Sequence, residues 1–381
     1  MLLCGSFSTT QPTRDDRIWE PSYFKELRQA VVSYQSAPKV IVGAGGAAWW
    51  VLEGFARNAI SVDGFVVTQE YGVESTCGLP VFSPTKWDLL PSEKSEYIAI
   101  IGIMNPEINI NEISEFLKES GWNHVITFSE FAAGLLAECE INVSMLDPQE
   151  VFSNLQALKD VEGMLGDEES KECLKHFVEY VTTFQEDEST IVKNPYFPVG
   201  IPSWKHDLRV LDCGAFDGDT LRQAVENGFS IEAAICFEPD SQNFGNLAKN
   251  IKVGGEILAL PLAVGEKTEV LQFSAQSTSG SQIVETGGIT VQCISIDDAL
   301  PGWKPNFIKM DIEGSEISAL KGAEKTISSA RPDLAISVYH KPTDIWFIPL
   351  WLRSILGDST QFYLRRHSRS IADTVLYVFP Q

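Results

Sequence analysis

Three stretches of this 381-residue chain hold the residue types that chemistry needs, at spacings that suit it. In Val210-Leu-Asp-Cys-Gly-Ala-Phe-Asp-Gly-Asp219, an apolar run ends in a turn that holds Asp212, Gly214 and Gly218. Soon after, Cys236-Phe-Glu-Pro-Asp240 ends a second apolar run at an acid, Glu238. Strand, glycine turn, helix, strand and acid, in that order, is how an open α/β sheet holds a nucleoside: the turn lets backbone approach the ligand and the acid takes the ribose hydroxyls. The turn reads Asp-x-Gly-x-x-x-Gly and not Gly-x-Gly-x-x-Gly. That variant points to S-adenosylmethionine (SAM), which has no pyrophosphate, rather than to NAD. The plainer reading is a generic α/β turn followed by an N-cap acid.

The third stretch is Phe307-Ile-Lys-Met-Asp-Ile-Glu-Gly-Ser-Glu316, where a strand ends at Asp311. An acid on that rim can accept a proton, orient a substrate hydroxyl or hold a divalent cation. The plainer reading of Glu313 and Glu316 is as first-turn acids complementing a helix dipole, and that is the expectation for Glu316. His340, in Ser337-Val-Tyr-His-Lys-Pro-Thr-Asp344, should end the next strand on the same rim. There it is a candidate general base, or else a hydrogen-bonded rim residue. His367 is a weaker candidate for the same role. Asp311 is expected to orient a substrate hydroxyl and His340 to accept its proton.

Regular elements must position these groups. Strands are expected at 208–213, 233–238, 257–263, 268–274, 289–296, 306–311 and 334–340, with helices after several of them. Phe362–His367 and Thr374–Phe379 are close enough to pair antiparallel. The segment 207–381 therefore reads as a doubly wound, mostly parallel sheet finished by an antiparallel hairpin. Upstream, residues 1–37 form a lead with a helix at 21–36, and 38–130 alternate β and α as a smaller Rossmann-like α/β domain. Residues 131–206 carry helical patterns and form a linker. In the smaller domain, Gly43-Ala-Gly-Gly-Ala-Ala48 follows a strand as a dinucleotide fingerprint would. No acid ends the second strand, and Asp63 lies inside its pattern, so the fingerprint is incomplete.

A net charge of −23 repels phosphate backbones, which argues against a nucleic-acid substrate. No apolar run is long enough to span a membrane, and the N-terminus lacks a basic lead, so no signal peptide is expected. Seven cysteines without a Cys-x-x-Cys suggest neither a disulfide framework nor a zinc ribbon and suit a reducing cytoplasm.

The segment 207–380 resembles the FkbM family of SAM-dependent methyltransferases. The carriers are Leu211–Thr220, Phe237-Glu-Pro-Asp240 with Asn243 and Leu247, Ala263-Val-Gly265, Ile308–Glu316 with Leu320 and Gly322-Ala323, and Arg331-Pro332. The resemblance implies a class I methyltransferase fold and methyl transfer from SAM, usually to a hydroxyl of a sugar, glycan or natural product. It implies cofactor contacts at Asp212, Gly214, Ala215, Gly218, Thr220, Glu238, Pro239 and Ala263, and an active-site rim position for Asp311. Residues 38–130 are more loosely similar to the N-terminal domain of PglD-like sugar-modifying enzymes, through Val40–Gly46, Val62–Val66 and Gly78–Val81. That likeness implies a nucleotide sugar at Gly43, Gly45 and Gly46. Two other functions stay open: an NAD-dependent nucleotide-sugar oxidoreductase or epimerase, and a non-catalytic SAM-binding module. The oxidoreductase lacks the Tyr-x-x-x-Lys pair of short-chain dehydrogenases. The acceptor, metal dependence and oligomeric state are not fixed by these residues.

Overall fold

The computed structural model describes residues 37–44, 52, 55, 61–70, 72–103, 108–127, 148–183, 191–205, 207–274, 282–284, 289–368 and 371–381. The helix expected at 21–36 and the turn residues Gly45 and Gly46 lie outside the described residues.

The first sheet is built from β1 (Lys39–Val42), β2 (Gly64–Val66), β3 (Ser75–Thr76), β4 (Leu79–Phe82), β5 (Ile98–Ile101) and β6 (His124–Thr127), in the order β3-β4-β2-β1-β5-β6. All neighbours are parallel except β3 and β4. The strands of a parallel sheet are covered on both faces, which is why β1 and β5 are unbroken apolar runs. Helix α1 (Ile110–Glu119) leads into β6; Asn109 caps it by accepting from the backbone N–H groups of Asn111 and Glu112.

Three helices follow: α2 (Pro148–Ser153), α3 (Leu155–Glu162) and α4 (Glu168–Thr183). They are fastened to the second sheet. Asp167 pairs with the buried Arg365 at 2.7 Å, and Ser170 Oγ accepts from the Leu364 N–H at 2.9 Å.

The second sheet contains β7 (Asp207–Cys213), β8 (Ser230–Phe237), β9 (Glu256–Leu260), β14 (Phe307–Met310), β15 (Asp333–Ser337), β16 (Gln361–Arg366) and β17 (Thr374–Phe379). Their order is β9-β8-β7-β14-β15-β17-β16, and β17 alone runs antiparallel to its neighbours. This is the doubly wound arrangement with its antiparallel hairpin. The chain winds outward from β7 through β8 to β9, then returns to β14 beside β7. That reversal makes the switch point where such sheets open a crevice. Helices α5 (Asp219–Glu226) and α6 (Ser241–Asn250) are the crossovers on the first side. Strand β9 stops at Leu260 because Pro261 has no N–H for the ladder.

Two expected strands leave this sheet. β11 (Glu269–Ser274) and β13 (Ile289–Ile294) join β10 (Ala263–Val264) and β12 (Gln282–Val284) in a small separate sheet, in the order β10-β13-β11-β12. After it come α7 (Ile296–Ala299), α8 (Glu316–Lys321), α9 (Glu324–Ala330) and the strongly apolar α10 (Asp344–Leu356). Among the described residues, no helix is long and apolar enough to cross a membrane.

Candidate active site

Register sets the site. Met310 aligns with Cys213, and Cys213 with Phe237. The next residues, Asp311, Gly214 and Glu238, therefore stand in a row along the carboxyl edge of β14, β7 and β8. A cavity of about 350 Å³ opens there, within the range of small-molecule sites.

Gly214 sits at φ +78°, and a Cβ on it would lie 1.9 Å from the Asp311 carbonyl oxygen, so only glycine fits. Its N–H donates to Phe237 O at 3.0 Å. Glu238 is 6% exposed and lines the cavity. Its two oxygens accept from the N–H groups of Phe216 and Asp240, each at 2.9 Å. Burial nevertheless raises its pKa to about 7, against the pull of those N–H groups. Asp240 caps α6 by accepting from the Gln242 and Asn243 N–H groups at 2.9 Å.

Beneath this row lies Lys309, buried in β14. Its ammonium donates to Gly214 O at 2.5 Å, stands 3.4 Å from Asp212 Oδ1 and lies 5.2 Å from the centre of the Tyr196 ring. Asp212 is fully buried and is raised to about 6 by that burial, with Lys309 opposing. Tyr196 donates its hydroxyl to Asp311 Oδ2 at 2.8 Å. Burial acts to raise the Asp311 pKa, but Lys309 and His340 outweigh it and hold the carboxyl below its ordinary value.

His340 stands behind the acids. Nδ1 is 2.8 Å from Glu316 Oε1, while Nε2 is 3.5 Å from Asp311 Oδ1 and 3.4 Å from Glu313 Oε2. Burial acts to lower its pKa, yet the carboxylates of Glu316, Asp311 and Glu313 raise it to about 10. Burial also lifts Glu313 to about 7, although His340 pulls the other way.

Of the residues read as cofactor contacts, Gly214, Glu238, Pro239 and Ala263 line the cavity. Asp212, Ala215, Gly218 and Thr220 do not: Asp212 turns to Lys309, Ala215 and Thr220 are fully buried, and Gly218 caps α5 at φ +85°. Asp311 lines the cavity and His340 does not. The base role expected of His340 does not suit this placement, since the ring stands behind Asp311 and outside the cavity lining. Glu316 is the first-turn acid of α8, as expected, and it is also fully buried, accepting from the Ile312 N–H at 2.8 Å. Glu313, at φ +56°, faces the cavity instead of capping a helix. His367 is elsewhere, bonded through its two nitrogens to Val192 O and the Tyr377 hydroxyl, each at 2.6 Å, and burial lowers it to about 4.

Tyr196, Lys309, Asn243, Tyr339 and Asp373 also line the cavity and were not singled out as site residues. A lysine inside the apolar run Phe307-Ile-Lys-Met310 is itself a signal, because lysine is almost never fully buried unpaired. Tyr196 gives none: it reaches Asp311 from 115 residues away.

The residues present fit SAM. Gly214 and Pro239 leave backbone open to a ligand, Glu238 retains acceptor capacity for a ribose diol, and Phe237, Leu262 and Ala263 offer apolar wall. For a metal, Asp311, Glu316 and His340 each place a donor atom within 4.8 Å of the others.

In the first sheet, Gly43 is at φ +97° and its N–H donates to Val66 O at 2.8 Å. Asp63 precedes β2, at the end away from Gly43, and accepts from the Tyr97 hydroxyl at 2.6 Å.

Comparison with known proteins agrees with this geometry. Residues 212–366 match the methyltransferase FkbM domain. The chain is similar to hexuronic acid methyltransferase AglP of Haloferax volcanii, with 30% identity over 137 residues, 32% of this chain and 57% of AglP. It thus spans little more than half the length of that curated relative. Its fold is that of the crystal structure of methyltransferase FkbM from Methylobacillus flagellatus KT, with a TM-score of 0.75 and 23% identity. That match covers 94% of this chain and 98% of the other, so the likeness of fold includes the first sheet.

Proposed function

We propose that the protein is a SAM-dependent O-methyltransferase acting on a hydroxyl of a sugar or glycan. The observation that carries this reading is one cavity holding Glu238 at the end of β8 and Asp311 at the end of β14, inside the segment that matches the methyltransferase FkbM domain. The name of AglP supports a sugar as the acceptor class.

Bound SAM would supply a methyl carbon made electrophilic by its sulfonium. Glu238 would accept the ribose hydroxyls, with Gly214, Pro239 and Ala263 beside it. Asp311, kept ionised by Lys309 and His340, would accept a hydrogen bond from the acceptor hydroxyl and aim its oxygen at the methyl carbon. Tyr196, bonded to Asp311 Oδ2, keeps that carboxylate in one orientation. Proximity and alignment supply most of the acceleration in such a reaction. The proton released on transfer would pass to the carboxylates at this end of the cavity.

The lining also bears on the acceptor. Among the described residues it contains Asp219, Glu238, Asp311, Glu313 and Asp373, with Lys309 the one basic side chain. Such a wall favours a neutral or amino sugar over a bare uronate, whose own carboxylate it would repel. On the same reading the first sheet presents the acceptor through a nucleotide carrier at Gly43, Gly45 and Gly46. Gly45→Val should then abolish acceptor turnover with SAM affinity kept.

Titration calorimetry with SAM and S-adenosylhomocysteine tests the core of the proposal. Binding of one equivalent, weakened by Glu238→Ala, is the expected result. No heat at millimolar ligand would remove the proposal, and nicotinamide absorbance in the purified protein would favour the oxidoreductase. Bound SAM without turnover of any acceptor would leave a SAM-binding module.

A further inference from the structure

The group behind Asp311 is arranged as a cation site. His340 is 6% exposed, and its ring is fixed by the 2.8 Å contact of Nδ1 with Glu316 Oε1. That leaves Nε2 aimed between two carboxylates, 3.5 Å from Asp311 Oδ1 and 3.4 Å from Glu313 Oε2. Both separations exceed the roughly 2.7–3.2 Å of an N–H···O hydrogen bond. Nε2 and Asp311 Oδ1 are both buried without a hydrogen-bond partner. An unpartnered buried polar atom costs free energy, so each calls for a partner. The spacing is informative. Two donors each about 2.1 Å from a tetrahedral divalent ion lie roughly 3.4 Å apart.

We propose that Asp311 and Nε2 of His340 bind one divalent cation, with Glu313 supplying a further carboxylate from the cavity wall and Glu316, whose donor atom lies within 4.8 Å of theirs, holding the imidazole from behind. A carboxylate on the far nitrogen of a metal-binding histidine fixes the ring and its tautomer, which is the place Glu316 occupies. One imidazole with two carboxylates suits Zn²⁺ or Mn²⁺ better than Ca²⁺. Asp311 and Glu313 both line the cavity, so a remaining coordination position would face the space where an acceptor enters. The surplus of acids over Lys309 in that lining gives a cation a second reason to be there. An imidazolium at His340 could hold the same two carboxylates. Proton and cation exclude each other at Nε2, and occupancy by metal decides between them.

The test uses the full chain, stripped with EDTA, and Mn²⁺ alone as the probe. Titration calorimetry and the loss of the free Mn²⁺ electron paramagnetic resonance signal should both report one site per chain at neutral pH. Asp311→Asn and Glu313→Gln should each weaken that site at least about tenfold, and Glu316→Gln by about 10–100-fold, as for partners that orient a metal-binding histidine. Circular dichroism would confirm that each variant is folded. Should Glu316→Gln not fold, Glu313→Gln still decides, because Glu313 is a half-buried turn residue on the cavity wall. No Mn²⁺ or Zn²⁺ bound by the wild type at millimolar metal would overturn the proposal. So would binding unchanged in both Asp311→Asn and Glu313→Gln. Because metal is added without SAM, failure here is separable from failure of the methyl-transfer reading.

Discussion

The two parallel sheets make the same turn and put it to different use. Gly43 follows β1 and Gly214 follows β7; each donates its N–H to the neighbouring strand, at 2.8 Å to Val66 O and 3.0 Å to Phe237 O. Each also has the space of its missing Cβ filled by a residue just past the strand on its other side, Ile103 or Asp311. Both glycines are therefore required by the sheet itself. What differs is the rim around them. Among the described residues, Val67 and Ile103 stand beside Gly43, while beside Gly214 stand Glu238, Asp311 and, one layer back, Lys309 and His340. A glycine turn on a parallel sheet is evidence of scaffold, and the acids at the neighbouring strand ends carry the argument for chemistry.

The comparison breaks most sharply at the glycines. Gly214→Ala would force a Cβ to 1.9 Å from a backbone oxygen at φ +78°, and neither can yield without moving β7 from β14. The expected loss is about 3–5 kcal/mol, from left-handed strain together with overpacking. Gly43→Ala meets Ile103 Cγ1 at 2.7 Å, the side chain of which can turn away. About 1–3 kcal/mol should suffice there. Denaturant unfolding of the two variants checks the difference. Equal losses would mean that φ alone governs both sites.

Next in size is Lys309→Met. It would leave Asp212, fully buried, facing an apolar chain. Breaking a buried pair from one side costs about 3–5 kcal/mol. The double variant Lys309→Met, Asp212→Leu should recover much of it. If it does not, the lysine matters through Gly214 O and Tyr196 rather than through Asp212.

What was legible in the sequence follows the same division. The row of Gly214, Glu238 and Asp311 could be read because each ends a local apolar run, and strand ends in a parallel sheet share one edge. Asp212 was misplaced by the same reasoning. Strand side chains alternate, and Asp212 is the register partner of Lys309, so the two meet across β7 and β14 beneath the rim. His340 was put at the end of its strand, but β15 stops at Ser337, and the following turn folds the ring behind Asp311. Glu316 was legible as the first-turn acid of its helix, but its burial and its contact with His340 were not, because sequence spacing cannot show burial. The strands β11 and β13 were legible as strands, yet which sheet they join depends on long-range pairing that periodicity does not encode.

On the cofactor side, Glu238→Ala should weaken SAM binding by about 1.5–3 kcal/mol, the range for hydrogen bonds to a charged group. A pH series sharpens this. On the proposed reading a ribose diol would need the carboxylate, and burial raises this carboxyl to about 7, so affinity should fall as pH drops through about 7 and approach a tenfold loss per unit. For folding the sign is opposite. The pKa rises from 4.5 to about 7 on burial, so ionising Glu238 lowers stability as pH rises between those values. Affinity flat from pH 6 to 8 would remove Glu238 from the ribose site.

The smallest effect belongs to the first sheet. Asp63 is an acid close to a nucleotide-type turn in sequence, and the structure gives it a structural partner, the Tyr97 hydroxyl at 2.6 Å. Tyr97 is fully buried and stacks edge-on with Trp122 at 6.0 Å, so Tyr97→Phe keeps the ring packing and deletes one hydrogen bond. Asp63 stays partly exposed and can turn to water, which limits the loss to about 0.5–1.5 kcal/mol. Thermal unfolding should show that loss, with SAM affinity unchanged. If Tyr97→Phe instead altered binding of a nucleotide sugar, the ligand would have to reach the end of β2 away from Gly43. The first sheet would then carry its site opposite its glycine turn, reversing the arrangement of the second.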